Sequence, residues 1–521
     1  MADNNNNISR KDALKKIGGL ALSSSMLSPL FSPVKEKKKG FPNIITNKSS
    51  SKPNILWITG EGIPLRVLGC YGSKLIETPN IDRIAKEGML FNNSFCTNAL
   101  CAPSRATLLT GKYSHSNGML ANPYYPDLNH FDEDQQTFPK IMRENGYQTG
   151  LVGKWHLKAN PAHTGFDYFS YKRGAGGPYY NPDGYMENPS LGSDKIVKRS
   201  RKGYVTDNFT DLAMQGMDQF DQPFLMMVQY FNDHRPFDPP HRYAHSFDDT
   251  RIPEPGTFWD DYSMRSAAAE EARMRISDMK DFDPPENYTE RQLKQWNYQQ
   301  LMEHFLGTMK AQDENIGRLL DYLDQKGLAD NTIVVYTADH GFFLGEHGWF
   351  DKRFMYEEAI RVPWMIRYPG QIEAGQTRDE WVINTDNAPT VLDLVDLQVP
   401  DDMQGRSLKP LFHGENPNDW RDSFYYHYYE FGSPHWVLPH YGIRTERYKL
   451  IDYYTINEWE LFDLERDPDE MESLFIKDGY DVKSGYQPVA KKLVDKLKKY
   501  RQELGDKTGK PVKLWPTRSY N

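Results

Sequence analysis

Apolar and polar positions follow two rhythms along this chain, and the rhythm switches repeatedly through its first four-fifths. Short unbroken apolar runs, too short for globular helices, predict buried strands at Asn54 to Thr59 (NILWIT), Tyr147 to Gly153 (YQTGLVG), Phe224 to Phe231 (FLMMVQYF) and Asn331 to Thr337 (NTIVVYT). Between them lie stretches with helical spacing. TPNIDRIAKEG carries Pro79 in its first turn and Gly88 past its end, and TFPKIMRENG has Thr137 as cap and Gly146 as stop. TDNFTDLAMQGMDQF and the segment from Gln292 to Leu323 read as further helices, and a short helical segment starts at Cys101. Strands alternating with helices predict an α/β fold, an open sheet with helices on both faces.

Two long stretches interrupt the alternation. Asn160 to Lys195 is rich in Gly, Tyr, Pro and Asn, and His241 to Tyr288 in Pro, Asp and Met, with a charged helical piece near Ala267 to Met279. Irregular segments of this length in a compact domain form functional walls or lids. From about Arg421 the pattern becomes short strands with polar turns (DSFYYHYYEF, YGIRTERYKLI, WELFDLERDPDE), closed by a basic helix from Val489 to Leu504. This predicts a small antiparallel sheet with one helix. The expected boundaries are 53–415 for the main α/β domain and 416–521 for a C-terminal α+β subdomain.

Composition narrows the function. With 521 residues, 38% hydrophobic and 26% charged, the chain is an ordinary globular protein. A net charge of -9 does not suit a nucleic-acid partner. The N-terminus has a basic region (Arg10, Lys11, Lys15, Lys16) and then a short apolar stretch from Ile17 to Phe31. This reads as an export signal over residues 1–32, with a linker over 33–52. SRKDALKK resembles a relaxed twin-arginine signal with Lys11 in place of the second arginine. The expected location is therefore periplasmic or secreted, with no stable membrane anchor. The cysteines number three (Cys70, Cys96, Cys101), a count that cannot pair completely.

Candidate chemistry sits where the predicted strands end. NILWIT is followed by Gly60-Glu61-Gly62, YQTGLVG by Lys154-Trp155-His156, FLMMVQYF by Asn232-Asp233-His234-Arg235, and NTIVVYT by Ala338-Asp339-His340-Gly341. The carboxyl ends of parallel strands line one edge of a sheet, where α/β ligands bind. Singly, each of these residues is equally a helix cap or a surface hydrogen-bonder. Together, Glu61, Lys154, His156, His234, Asp339 and His340 define one pocket. Oxygen ligands with one imidazole suit Ca²⁺ or Mg²⁺ better than zinc, and the extra cations suit a phosphate-like or sulfate-like anion.

The segment Cys101-Ala102-Pro103-Ser104-Arg105, continuing to Thr110-Gly111, resembles the signature of formylglycine-dependent sulfatases of the alkaline-phosphatase superfamily. Companion blocks follow in that family's order: PNILWITGEG with LGCYG, GKWH, the His of NDHRPFDPP, TADHG, and the lysine of FDKRFMYEE, then RVPWMIRYPG, DNAPTVLDL and GRSLKPLF. The resemblance runs from about Lys52 to about Leu474. It implies a mixed, mostly parallel sheet between helices. It also implies that a maturing enzyme oxidises Cys101 to formylglycine, whose hydrated aldehyde attacks sulfur.

By the same resemblance, Arg105 and Lys154 hold the diol and the sulfate oxygens, His234 and Lys352 contact sulfate and protonate the leaving oxygen, and His156 takes a proton from the second hydroxyl. Asp339, His340, Glu61 and residue 101 hold a divalent cation, Ca²⁺ being expected and Mg²⁺ the alternative. The family's usual Asp-Asp or Asp-Gln is replaced here by Glu61-Gly62, which implies that a water or another residue fills the gap on the cation, or that the site is weaker.

The implied substrate is a sulfated oligosaccharide from a polysaccharide such as ulvan or carrageenan. The alternatives are a phosphodiesterase or phosphonate hydrolase of the same superfamily, or a glycan-binding protein without turnover. Arg173 and Arg353 either read an anion beside the sulfate or are surface charges. His115 either touches the sugar or bonds within its turn. The aromatic stretch from Phe424 to Tyr441 either faces a sugar ring or packs on the main domain.

Overall fold

The computed structural model describes residues 52–172, 174, 176–221, 223–231, 234–476 and 481–512. The export signal read at residues 1–32 lies outside the described residues, as does Arg173.

One sheet of ten strands organises the molecule. In spatial order the strands are Gln376–Arg378, Met89–Phe91, Trp364–Arg367, Thr332–Ala338, Asn54–Gly60, Phe224–Gln229, Gln148–Lys154, Tyr168–Lys172, Tyr185–Glu187 and Val197–Arg199. The five from Thr332–Ala338 to Tyr168–Lys172 are mutually parallel. Trp364–Arg367 on one flank, and Tyr185–Glu187 with Val197–Arg199 on the other, run antiparallel to their neighbours. The result is the mixed, mostly parallel sheet that the resemblance implied. The stretch from Asn160 to Lys195 departs from its irregular reading, because it supplies two strands of the sheet's flank. Tyr168–Lys172 alternates buried and half-buried positions, and Tyr185–Glu187 has only three residues, so glycine- and asparagine-rich surroundings hide both.

The central strands are buried on both faces, which explains their unbroken apolar runs. Side chains alternate with period two. Ile55, Trp57, Leu225, Met227, Ile333 and Val335 pack with helices Cys101–Thr110, Phe138–Glu144 and Asn387–Leu394. Leu56, Ile58, Met226, Val228, Val334 and Tyr336 pack on the other side with helices Val205–Met217 and Glu290–Gln325. That long helix starts at a reciprocal cap between Thr289 and Gln292.

A second sheet stacks Ser423–Tyr428, His440–Thr445, Tyr448–Tyr453 and Glu458–Asp463, all antiparallel, under the helix Gln487–Glu503. It docks beside the large sheet's carboxyl edge. The Tyr426 hydroxyl donates to the Arg353 carbonyl at 2.6 Å and accepts from the Ala99 amide at 3.1 Å.

Register decides what meets at that edge. Gly60 lies opposite Ala338, and both Thr59 and Gly153 lie opposite Gln229. Glu61, Asp339 and Lys154 therefore leave the sheet on nearly one rung. Gly153 holds φ at +111°, and a Cβ there would sit 2.0 Å from the Gln229 carbonyl oxygen. We expect Gly153→Ala to cost about 2–4 kcal/mol of folding free energy in a denaturant titration; wild-type stability would show that this approach is not tight.

Candidate active site

The helix Cys101–Thr110 points its first turn at the strand ends, and all of its residues are buried. Leu100, at its N-cap, makes no side-chain cap. Asn122 supplies one from outside, its Oδ1 accepting from the Ala102 amide at 3.2 Å. Ser104 donates its hydroxyl to the Asp339 carbonyl and accepts from Asn384 Nδ2 at 3.0 Å. Gly111 closes the helix in the left-handed region, at φ +66°.

Arg105 is the hub. Its Nε donates to Asp339 Oδ2 at 3.0 Å and one terminal nitrogen to Glu61 Oε2 at 2.8 Å. The other terminal nitrogen donates to the Lys154 carbonyl at 3.3 Å and to Gln229 Oε1. Glu61 Oε1 accepts from Lys154 Nζ at 2.6 Å and from Cys101 Sγ at 2.9 Å, with Lys352 Nζ at 3.9 Å. His340 Nε2 lies 3.5 Å from Cys101 Sγ.

Burial raises the Glu61 carboxyl, but Lys154, a His340 hydrogen bond, Arg105 and Lys352 outweigh it and hold Glu61 well below the usual carboxylate range. Burial and the neighbouring Glu61 push Asp339 up. Burial lowers His340, yet Asp339 and hydrogen bonds with Cys101 and Glu61 carry it to about 9. Burial and Glu61 raise the Cys101 thiol, but Lys154, Lys352 and His340 bring it down to about 6. His156 is buried with neither ring nitrogen hydrogen-bonded, and burial with Lys154 keeps it neutral. His234 is held neutral by burial, Lys352 and Lys154, and its Nδ1 faces the Arg235 carbonyl at 3.2 Å.

Four of these residues fit a cation. One ligand atom each from Glu61, Cys101, Asp339 and His340 lies within 4.8 Å of every other. Oxygen ligands of one calcium ion, at about 2.3–2.6 Å from it, are at most about 5 Å apart. His340 Nδ1 meets the Gly341 carbonyl at 2.8 Å, which leaves Nε2 as the ligating atom.

The structure thus brings together Glu61, Cys101, Arg105, Lys154, Asp339, His340 and Lys352, with His156 and His234 in electrostatic reach. Arg353 is also buried nearby, donating to Asp351 Oδ1 at 2.6 Å, with Glu430 Oε1 4.0 Å from its guanidinium. His115 goes elsewhere. Its Nε2 meets the Leu504 carbonyl at 3.0 Å, its Nδ1 lies 3.9 Å from Asp506, and its ring stacks on Tyr113, so the C-terminal segment holds it away from the pocket.

Sequence reasoning missed Gln229, Asn122, Asp351, Glu430 and His435. His435 Nε2 lies 3.2 Å from Asp351 Oδ2, and Glu430 Oε2 accepts from the Asn122 amide at 3.1 Å. Asp351 could have been found as the partner that Lys352 and Arg353 require. His156 (φ 56°), Asp351 (83°) and Arg353 (96°) have positive φ, a conformation uncommon for residues other than glycine.

Comparison with known proteins agrees with this geometry. The sulfatase family profile aligns with residues 53–397, and that of the N-sulphoglucosamine sulphohydrolase C-terminal region with residues 345–503. An N-acetylglucosamine-6-O-sulfatase from Bacteroides thetaiotaomicron is 42% identical over 88% of this chain and 87% of its own. An ulvan-active sulfatase from Formosa agariphila is 30% identical over 88% of this chain and 82% of its own. A solved protein in complex with its substrate D-glucosamine-2-N,6-O-disulfate superposes with a TM-score of 0.79 at 40% identity, covering 89% of this chain and 100% of that one.

A cation held by Glu61 and its neighbours should stabilise the fold. At a hundredfold excess over its dissociation constant, calcium added after chelation should contribute about 2.7 kcal/mol. The accompanying rise in melting temperature should shrink in Glu61→Gln. A melting curve indifferent to calcium, magnesium and chelator would remove the site.

Proposed function

The chain belongs to the sulfatase family, and we propose that it removes the 6-O-sulfate from glucosamine units of glycosaminoglycan-type sugars. The observation that carries this is the convergence of Lys154, Lys352, Arg105 and two neutral imidazoles around residue 101. These groups, paired with Glu61 and Asp339, offer positive charge and hydrogen-bond donors to one compact anion. It is an enzyme that hydrolyses sulfate esters. The choice of sugar rests on likeness to the N-acetylglucosamine-6-O-sulfatase, which exceeds the likeness to the ulvan-active relative. Ulvan and carrageenan therefore stand second to glucosamine.

Oxidation of Cys101 to formylglycine by a maturase would supply a hydrated aldehyde as nucleophile, together with a second hydroxyl for expelling sulfate. A calcium ion on Glu61, Asp339, His340 and residue 101 would add positive charge beside the reacting oxygen. The other roles belong to the chain itself. Arg105, fixed by Glu61 and Asp339, holds the two carboxylates apart and orients the first turn of its helix. Lys154 and Lys352 flank Glu61 and stabilise sulfate oxygens as charge builds on them. Lys352 is raised above an ordinary lysine despite its burial, because Asp351 and Cys101 face it, so it stays a cation.

His156 enters the reaction neutral, with both ring nitrogens free, and takes the proton that lets sulfate leave. His234, facing the bound anion, passes a proton to the sugar oxygen. Lysine neighbours keep it neutral in the free pocket, and a sulfate would offset them.

Export to the periplasm or outside the cell is proposed on the N-terminal signal. No helix among the described residues is long and apolar enough to cross a membrane.

Two measurements test the proposal. The peptide holding residue 101 should be about 18 Da lighter than its cysteine form, and the matured protein should release sulfate from N-acetylglucosamine 6-sulfate. Cys101→Ser should turn over at least about a hundredfold more slowly, because serine has no second hydroxyl to expel sulfate. Faster hydrolysis of the matching phosphate ester than of the sulfate would overturn the reading in favour of a phosphoesterase.

A further inference from the structure

We infer a second sugar subsite beside the active centre, in which Phe431, Trp436, Arg273 and Arg275 hold the unit joined to the sulfate-bearing one. The inference rests on the glycosaminoglycan reading above. Within the aromatic stretch from Phe424 to Tyr441, the tyrosines are buried, whereas Phe431 is 45% and Trp436 40% exposed. Their rings meet edge to face with centroids 5.5 Å apart. They form one wall of a groove of about 470 Å³, whose other walls include Glu270, Arg273, Arg275 and Asp278. An aromatic pair rimmed by charged groups suits an amphipathic ring with hydroxyls at its edge.

Backbone and side-chain contacts tie this groove to the reacting centre. His435 turns its ring towards the centre, with Nε2 3.2 Å from Asp351 Oδ2, while its carbonyl accepts from the Arg273 amide at 2.8 Å. One residue on, Trp436 adopts φ 54°, a left-handed conformation, and its own exposed ring lines the groove while Val437 turns back into the core. On the opposite wall, the Phe350 amide donates to the Met274 carbonyl at 2.8 Å, so the arginine-bearing segment is pinned beside the strand leading to Lys352. The groove's aromatic edge at Trp436 is thus one residue from a side chain that touches Asp351, the neighbour of Lys352.

Two arginines share the groove with three carboxylates, Glu270, Glu271 and Asp278. Arg273 is exposed, and Arg275 is half-buried with one terminal nitrogen donating to the Glu270 carbonyl at 2.8 Å. Both suit a carboxylate or sulfate on the adjoining pyranose. Glu270 and Asp278 can accept from its hydroxyls.

The test compares matured wild type with two double variants, Phe431→Ala/Trp436→Ala and Arg273→Gln/Arg275→Gln. The substrates are a 6-sulfated glucosamine monosaccharide and an oligosaccharide in which that unit adjoins a uronic acid. The aromatic variant should lose about five- to tenfold in kcat/KM on the oligosaccharide and stay within about twofold of wild type on the monosaccharide. The arginine variant should lose on the uronate-bearing chain and not on a neutral one. Equal losses on both substrates, or none on either, would overturn the subsite while leaving the substrate reading intact. Wild type inert towards every sulfated glucosamine would overturn that reading and the subsite with it.

Discussion

Two carboxylates buried side by side govern this active centre. Glu61 and Asp339 are each about 1% exposed. Moving such an ion out of water costs on the order of 20 kcal/mol in the idealised limit, which Coulombic partners repay only at close range and good geometry. The chain provides those partners from five separate segments. Arg105 reaches both carboxylates from a helix, Lys154 reaches Glu61 from a neighbouring strand end, Lys352 approaches from a hairpin, and the amides of Gly62 and His340 donate to Asp339 Oδ1 at 3.1 and 3.0 Å. None of these segments can shift without leaving a charge unpaired, so the reactive geometry is held by the same contacts that make its burial tolerable. The pocket is consequently set up for an anion before one arrives.

The small C-terminal sheet is part of the same arrangement. Tyr426 bridges the Ala99 amide and the Arg353 carbonyl, so one hydroxyl fixes both the segment before residue 101 and the strained segment carrying Lys352. Glu430 and Asn122 continue the link to the first turn of the signature helix. The large sheet carries most of the charged residues of the centre, and the small one fixes the segments on either side of it, before residue 101 and after Lys352.

How legible this was in the sequence depended on the length scale of each cause. Apolar runs revealed the four central strands because both faces are buried, and the polar residues after each run pointed to one edge. Short flank strands such as Tyr185–Glu187 were invisible, since three residues carry no period. The motif resemblance brought in Lys352, which no strand end would have suggested. Glu430, His435 and Asn122 escaped because their roles depend on the docking of the small sheet, a contact between segments hundreds of residues apart. The contacts of His115 were hidden for the same reason, because its partners Leu504 and Asp506 lie near the far end of the chain.

Gly62 shows how far local context reaches into the chemistry. Related sequences were expected to carry an acid or amide there, and its loss suggested a weakened cation site. The backbone gives a physical reason for glycine. Gly62 holds φ +62°, and a Cβ would come within 3.0 Å of Phe342 and 3.2 Å of the His340 ring. A carboxylate at this position would also add a third negative charge where Asp339 is already pushed upward by Glu61. In its place the Gly62 amide donates to Asp339 Oδ1, restraining one ligand without adding charge. The longer arm of Glu61 then bridges Lys154 and Arg105 on opposite oxygens, so a single carboxylate here makes the contacts that bind the strand end to the signature helix. On this view the Glu-Gly pair is an alternative charge balance, with one carboxylate fewer in the centre and the remaining two tied down by hydrogen bonds.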